Sequence, residues 1–306
     1  MHKLLLLTKD KDREAYGRYL RAAALPELEI ASSSMPDIDL VFGEPNLIRE
    51  VLPDLPALRW AQATWAGVDP LLDPSLRRDY ILTNARGVFG GLMSEYVFGY
   101  LLMHERKILQ RLAAQKQSRW EPSLTGTLRG KTIGLLGVGS IGAHLAESAQ
   151  HFGMRVHGYT RNSETSPQVD RYYHGAELLS FASQLDVLVS TLPNTNETRK
   201  IVSASLLEAL PEQAIFINAG RGSAVDEAAL IDALKRGRLA GAVLDVFEQE
   251  PLPAEHPFWQ TKNLFITSHT AAPSFPQDIA SLFIDNYRAY IEGKPLKYRV
   301  SFELGY

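Results

Sequence analysis

Short apolar runs alternate with segments of helical period along most of the chain. The most organised stretch is 131–161, KTIGLLGVGSIGAHLAESAQHFGMRVHGYTR. Residues 132–136 form an apolar run that predicts a buried strand. Gly137, Gly139 and Gly142 follow as G-x-G-x-x-G, and Ile141, Leu145, Ala149 and Phe152 then recur on one helical face. Gly153 stops that helix, and 155–159 predicts a second strand. Strand, glycine turn, helix and strand within about thirty residues is the setting that a dinucleotide-binding glycine motif needs. Gly137 permits a tight turn, Gly139 removes a Cβ where a pyrophosphate would approach, and Gly142 lets the helix pack close to the sheet. The N–H groups of Ser140 and Ile141 would face the phosphates at the positive end of the helix dipole.

The same alternation extends to both sides. Strands are predicted at 3–8, 38–42, 58–63 and 80–83, with helices at 12–24 and 46–52 between them. One long helix is predicted over 92–119. Its first half, 96–103, is apolar on nearly every side, which points to burial between domains or in a subunit interface. Glu95 and His104 are its polar exceptions, more readily structural than catalytic. Beyond the glycine motif, strands are predicted at 186–190, 214–218, 240–246 and 264–267. A helix at 226–235 has Asp226 suited to its N-cap, and a long helix spans 274–291 before Pro295 breaks the pattern. Strands alternating with helices imply parallel pairing and right-handed crossovers. The fold class is therefore α/β, with the first part of the chain a small α/β domain of its own.

Composition narrows the function classes. A length of 306 residues suits two domains, and a net charge of −3 leaves no footprint for nucleic acid. Cysteine is absent, which excludes disulfides, thiolate metal sites and a cysteine nucleophile. The apolar run Leu4–Leu7 is too short for a signal-peptide core, and no later segment approaches a membrane span, so a cytoplasmic protein is expected. No residue set points to a metal, and phosphoryl transfer lacks its lysine-bearing glycine loop.

Candidate chemistry lies just past predicted strand ends, where open α/β sheets bind ligands. Arg221 stands in NAGRG, Glu250 in DVFEQEPLP, and His269 in TSHTAA. Beside a bound nicotinamide, these three suit hydride transfer to a 2-keto acid. Each also has a plain alternative. Arg221 could be a surface arginine in a glycine turn, Glu250 merely solvated like Glu248, and His269 a hydrogen-bonded structural histidine. The loop TWAGVDPLL, by itself, reads as an ordinary turn.

With WAGVD, GLLGVGSIG, LPNTNETRKIV, NAGRGSAVDEAAL, AGAVLDVFEQEPLP and TSHTAA, the sequence resembles the D-2-hydroxyacid dehydrogenase family over nearly its whole length. It most resembles the branch of NADPH-dependent glyoxylate/hydroxypyruvate reductases. The resemblance implies that His269 protonates the carbonyl oxygen as hydride arrives, that Glu250 orients the ring and raises its pKa, and that Arg221 holds the substrate carboxylate. Backbone N–H groups of Ala66, Gly67 and Val68 would hold the carboxylate from the other domain, with Trp65 beside them limiting the pocket. Leu192 and Pro193 would line the adenosine side, while Ala219 and Asp245 would contact the nicotinamide amide. Asp245 might instead cap a neighbouring loop. The resemblance also implies two doubly wound parallel-sheet α/β domains, a Rossmann nucleotide-binding domain, 101–272, inserted into a flavodoxin-like substrate domain, 1–100 and 273–306, with a cleft between them, and a homodimer through the inserted domain and the long apolar helix.

Two departures bear on that reading. Many relatives carry proline before the histidine, and here the residue is Ser268. An NAD-type site wants an acid at the end of the second strand, whereas this chain has Tyr159, Thr160, Arg161 and Asn162. Arg161 can pair with a 2′-phosphate, so NADP(H) is expected over NAD(H). The function expected is reduction of glyoxylate, hydroxypyruvate or a similar small 2-keto acid. The alternatives are a dehydrogenase for a bulkier 2-hydroxyacid and a non-enzymatic nucleotide-sensing protein on the same fold.

Overall fold

In the computed structural model, which describes residues 1–305, the strands form two separate parallel sheets, one of five strands and one of seven. The first sheet is built by β1 (His2–Leu7), α1 (Asp10–Ala22), β2 (Leu28–Ala31), β3 (Leu40–Gly43), α2 (Pro45–Val51), β4 (Trp60–Ala63) and β5 (Ile81–Thr83). Its order is β2-β1-β3-β4-β5. Strands β3 and β4 are buried at every position, as central strands covered on both faces must be.

The second sheet follows two helices, α3 (Gly90–Glu105) and α4 (Ile108–Lys116). Then come β6 (Thr132–Leu136), α5 (Ser140–His151), β7 (Arg155–Tyr159), β8 (Arg171–Tyr173), α6 (Leu178–Ala182) and β9 (Val187–Ser190). The set continues with α7 (Ala204–Ala209), β10 (Ala214–Asn218), α8 (Glu227–Lys235), β11 (Leu239–Leu244) and β12 (Leu264–Ile266). The order is β12-β11-β10-β9-β6-β7-β8, so the winding reverses beside β6, the strand that leads into the glycine turn. Val97, Phe98, Leu101, Leu145 and Ala149 cover one face of this sheet from α3 and α5. Phe181, Leu206, Leu207, Leu230 and Leu234 cover the other from α6 to α8.

The chain then returns to the first unit through α9 (Pro276–Ile291). Ile279, Ala280, Phe283 and Tyr287 of this helix are buried. The Phe283 ring stacks on Phe42 at 4.6 Å and on Trp60 at 5.1 Å. Asn286, fully buried, donates to Gln62 Oε1 at 3.0 Å and accepts from the Lys297 amide at 2.8 Å. Gln62 Oε1 also accepts from Thr83 Oγ1 at 2.8 Å, so the buried polar groups here satisfy one another.

Several boundaries differ from the sequence expectation, for identifiable reasons. The helix expected over 92–119 is two helices, broken at Lys107 with φ +51°. Glu105 explains the break. Its carbonyl accepts the Gly126 amide at 2.9 Å and its buried carboxylate pairs with Lys131 at 2.8 Å, so the backbone there is committed outside the helix. Within 96–103 of the single chain, Val97, Phe98 and Leu101 are buried and Gly99 is exposed. Strands β3, β4 and β5 begin one or two residues later than expected, because Ile38 and Leu58 are buried in turns ahead of the pairing. Strands β2 and β8 and helices α6 and α7 were not anticipated; both strands lie at sheet edges. The first unit comprises Met1–Val88 with the chain from Ser274 onward, and the second Phe89–Pro273. The first crossing therefore falls at 88/89 rather than 100/101, since all of α3 packs into the second unit.

Replacing Phe283 with alanine removes the ring stacked on Phe42 and Trp60. Phe283→Ala is expected to destabilise the first unit by about 3–5 kcal/mol, read as a lowered denaturant midpoint with an unchanged slope.

Candidate active site

All seven strands of the second sheet run parallel, so their carboxyl ends share one edge. The glycine turn leaves β6 on that edge. Gly137 has φ +91°, a conformation that side chains rarely tolerate. A Cβ on Gly142 would lie 2.4 Å from the Gly137 carbonyl oxygen, so helix and turn touch only because residue 142 has none. A Cβ on Gly139 would meet nothing within 4 Å, which leaves open space in front of the turn. Helix α5 runs 12 residues from Ser140 with no side-chain cap on its first amides. A cradle of this kind, with amides at a helix N-terminus and room before them, fits a dinucleotide pyrophosphate.

Neighbouring loops close around the turn. The Thr191 hydroxyl donates to the Gly137 carbonyl at 3.2 Å. Leu192 is buried, and the Pro193 carbonyl accepts from Thr198 Oγ1 at 2.7 Å. Ala219, also buried, donates its amide to the Ser190 carbonyl at 3.1 Å. At the end of β7, Thr160 is buried and its hydroxyl donates to the Ser163 carbonyl at 2.7 Å. Arg161 is exposed, and its guanidinium meets Glu197 at 3.3 Å. His174 joins the same loop, with Nδ1 at 2.9 Å from the Thr160 carbonyl and Nε2 at 2.8 Å from Glu164. Its hydrogen bond with Glu164 raises its pKa above the ordinary histidine value.

The structure brings Arg221, Glu250 and His269 together. His269 Nδ1 lies 2.8 Å from Glu250 Oε2. An ionised carboxylate only accepts, so Nδ1 carries a proton and Nε2 is left for a ligand. Glu250 Oε1 accepts the Phe247 amide at 3.0 Å, which fixes the carboxylate at both oxygens. The Glu250 hydrogen bond raises the pKa of His269, against partial burial and the Arg221 charge, which both lower it. Glu250 itself ends below its ordinary value. Burial pushes it up, and the His269 and Phe247 hydrogen bonds outweigh that. Arg221 acts electrostatically on both partners and donates Nη1 to the Gly220 carbonyl at 2.8 Å. His269 adopts φ +55°, the left-handed region, which is uncommon for any residue with a side chain.

Residues not singled out in the sequence shape this geometry. Buried Asn218 accepts the Gly220 amide at 3.2 Å and donates to the Arg221 carbonyl at 3.0 Å, folding the NAGRG turn. Glu227 accepts the Glu248 amide at 3.2 Å and sits 3.3 Å from His256, which tethers the Glu250 loop. Asp245 is 1% exposed, and its carboxylate accepts from the Thr267 hydroxyl and the amides of Thr270 and Ala271. The structure thus gives Asp245 a loop-capping role, one of the two uses open in the sequence. Only the three-dimensional placement reveals the roles of Asn218, the last residue of β10, and of Glu227.

In the first unit, the loop of Trp65, Ala66, Gly67 and Val68 follows the carboxyl end of β4. Its recorded bonds run through carbonyls. Trp65 accepts the Ala85 amide at 3.0 Å, Ala66 accepts Asn84 Nδ2 at 2.8 Å, and Val68 accepts the Leu71 amide at 2.8 Å. The loop is therefore pinned by its oxygens. Val68 is buried, whereas Trp65, Ala66 and Gly67 are partly accessible. Among the described residues no cluster of metal-ligating side chains occurs, and no helix is long and apolar enough to cross a membrane.

Known proteins resemble this chain in sequence and in fold. A profile of the D-isomer specific 2-hydroxyacid dehydrogenase, NAD binding domain, matches residues 98–271. Glyoxylate/hydroxypyruvate reductase A of Salmonella choleraesuis (strain SC-B67) is 34% identical over 248 residues, 79% of this chain and 80% of that protein. The crystal structure of a D-isomer specific 2-hydroxyacid dehydrogenase family protein from Aeromonas salmonicida subsp. salmonicida A449 matches with a TM-score of 0.91 and 44% identity, over 98% of this chain and 99% of that one. An NADPH-dependent glyoxylate/hydroxypyruvate reductase from Sinorhizobium meliloti, solved with NADP and sulfate, matches with a TM-score of 0.87 and 30% identity over 100% of both chains. The chain belongs to the D-isomer specific 2-hydroxyacid dehydrogenase family, NAD(P)-dependent oxidoreductases acting on CH–OH groups.

Proposed function

We propose that the protein is an NADPH-dependent reductase of small 2-keto acids, of the glyoxylate or hydroxypyruvate type. The observation that carries this reading is the His269–Glu250 pair at 2.8 Å with the Arg221 guanidinium in electrostatic reach of both. Relatives named glyoxylate/hydroxypyruvate reductase support the substrate class.

The chemistry follows from charge and proton positions. A bound dihydronicotinamide supplies hydride to the keto carbon. His269, protonated on both nitrogens, gives the Nε2 proton to the carbonyl oxygen as negative charge develops there, so C=O becomes CH–OH. Glu250 holds Nδ1–H throughout and stabilises the imidazolium. Arg221 presents a planar fork to the substrate carboxylate and draws charge toward the carbonyl. In the first unit, the amides of Ala66, Gly67 and Val68 are suited to a carboxylate, with Trp65 beside them. Gly137, Gly139, Ser140, Ile141 and Gly142 would hold the pyrophosphate of a bound dinucleotide, Leu192 and Pro193 would line its adenosine side, and Ala219 and Asp245 would lie toward its nicotinamide. Thr160 shapes the loop that offers Arg161 to a 2′-phosphate, and Arg161 exchanges Glu197 for it. The exposed α4 side chains Ile108, Leu109 and Leu112, with Trp120 at 90% exposure and Leu124 at 88%, favour a homodimer through this unit.

Purified protein should oxidise NADPH with glyoxylate or hydroxypyruvate faster than NADH. Arg221→Ala and His269→Ala should each lower kcat/KM by at least about a hundredfold. Arg161→Ala should narrow the NADPH preference. NADPH binding without turnover across a panel of 2-keto acids would overturn the reading.

Because the Glu250 hydrogen bond raises the His269 pKa, the acid stays protonated to higher pH than an isolated histidine. Reduction should therefore decline as pH rises through the raised His269 value. Glu250→Gln should move that decline to lower pH in kcat/KM profiles. Sedimentation should give twice the mass of one chain, and Leu112→Glu should shift it toward the monomer.

A further inference from the structure

The buried Asp245 carboxylate has no part in the proton transfer just described, yet the loop that carries His269 is built on it. Asp245 Oδ1 accepts the Thr267 hydroxyl at 2.5 Å and the Thr270 amide at 2.8 Å. Its Oδ2 accepts the Ala271 amide at 3.0 Å, and its main-chain carbonyl accepts the His269 amide at 2.8 Å. Residues on both sides of His269 thus hang from one side chain. The two amides can only donate, so Asp245 is the acceptor for each of its partners.

The chain of bonds continues away from the site. Thr267 Oγ1, having given its proton to Asp245, lies 2.8 Å from the Tyr96 hydroxyl. Tyr96 must therefore donate to it. Burial pushes the Tyr96 phenol well above its ordinary value, so it keeps that proton. Tyr96 lies on α3, where its ring packs on Tyr100 at 5.0 Å, and Tyr100 in turn packs on Phe265 of β12 at 5.8 Å. Helix α3 therefore meets the histidine loop through one hydrogen bond and one aromatic contact.

We propose that Tyr96 and Thr267 are positioning residues for the hydride-transfer chemistry: the one-way chain Tyr96 Oη to Thr267 Oγ1 to Asp245 Oδ1 holds the His269 loop and keeps the imidazole aligned with Glu250. This rests on the reading of His269 as the proton donor. Two physical features give the chain its leverage. A buried carboxylate that loses a donor is left partly unsatisfied, and the strand end and loop that supply its donors must then shift. His269 occupies a backbone conformation that persists only where its surroundings over-determine it. A displacement of about 1 Å at such a site can cost on the order of a hundredfold in rate.

The test uses Tyr96→Phe, which removes a single oxygen, together with Thr267→Val and Thr267→Ser. Tyr96→Phe is expected to lower kcat about tenfold and Thr267→Val further, with the keto-acid KM and NADPH affinity within about twofold. Thr267→Ser, which keeps the hydroxyl, should recover most of the loss seen in Thr267→Val. The charged groups that face His269, namely Glu250, Arg221 and Asp245, remain in all three variants. An NMR titration of His269 should nevertheless show a lower midpoint in Tyr96→Phe and Thr267→Val, because the ring loses its alignment with Glu250. Unchanged kcat and an unchanged His269 titration in Tyr96→Phe would overturn the proposal. Should Thr267→Val not fold, Tyr96→Phe decides alone. The titration needs no turnover, so absence of reductase activity in the unaltered protein is distinguished from failure of the positioning chain.

Discussion

Parallel pairing is the constraint from which the site follows. A parallel strand cannot be joined to its neighbour by a tight turn, so each crossing must pass over a face of the sheet and every carboxyl end falls on one edge. In the second unit that edge collects the exits of β6, β7, β9, β10, β11 and β12. The glycine turn, the Thr160–Arg161 loop, the Leu192–Pro193 loop and the loops of Arg221, Glu250 and His269 therefore gather in one region, although they span much of the sequence. Reversal of the winding beside β6 opens the space those loops surround.

The loops are held by buried polar side chains more than by apolar packing. Asn218 folds the arginine turn, Asp245 folds the histidine loop, Thr191 ties its loop to Gly137, and Glu227 tethers the acidic loop. Each supplies hydrogen bonds to main-chain groups that would otherwise go unpaired where regular structure ends. The reactive side chains Glu250 and His269 remain accessible, whereas Asn218 and Asp245 beneath them are buried. That division lets a site stay open to ligands and still be rigid.

The glycine motif was legible because its signal is local: spacing within a few residues and position after an apolar run. Arg221, Glu250 and His269 were placed that way only as polar residues past strand ends, each with a plain alternative, and their roles came from the family resemblance. The central strands were legible for the same reason as the glycine motif, and β6 and β7 fell where their apolar patterns put them. What escaped depends on partners distant in sequence. The break between α3 and α4 needs Gly126 and Lys131 to engage Glu105, and nothing in 92–119 announces it. Strands β2 and β8 lie at sheet edges and are only partly buried, so they lack the continuous apolar run that marks the centre. The donors that give Asp245 its loop-capping role lie more than twenty residues away, so the sequence offered that role only as one of two readings.

The arginine turn is walled on both sides. A Cβ at residue 220 would fall 2.7 Å from the Leu192 nitrogen, and one at residue 222 would fall 1.8 Å from the Phe247 carbonyl carbon. The guanidinium consequently has a single address in the chain, since no side-chain-bearing residue can stand immediately before or after it. Point substitutions that slide Arg221 by one position are closed to this scaffold. On the proposed reading of Arg221 as the carboxylate anchor, that end of substrate recognition cannot drift.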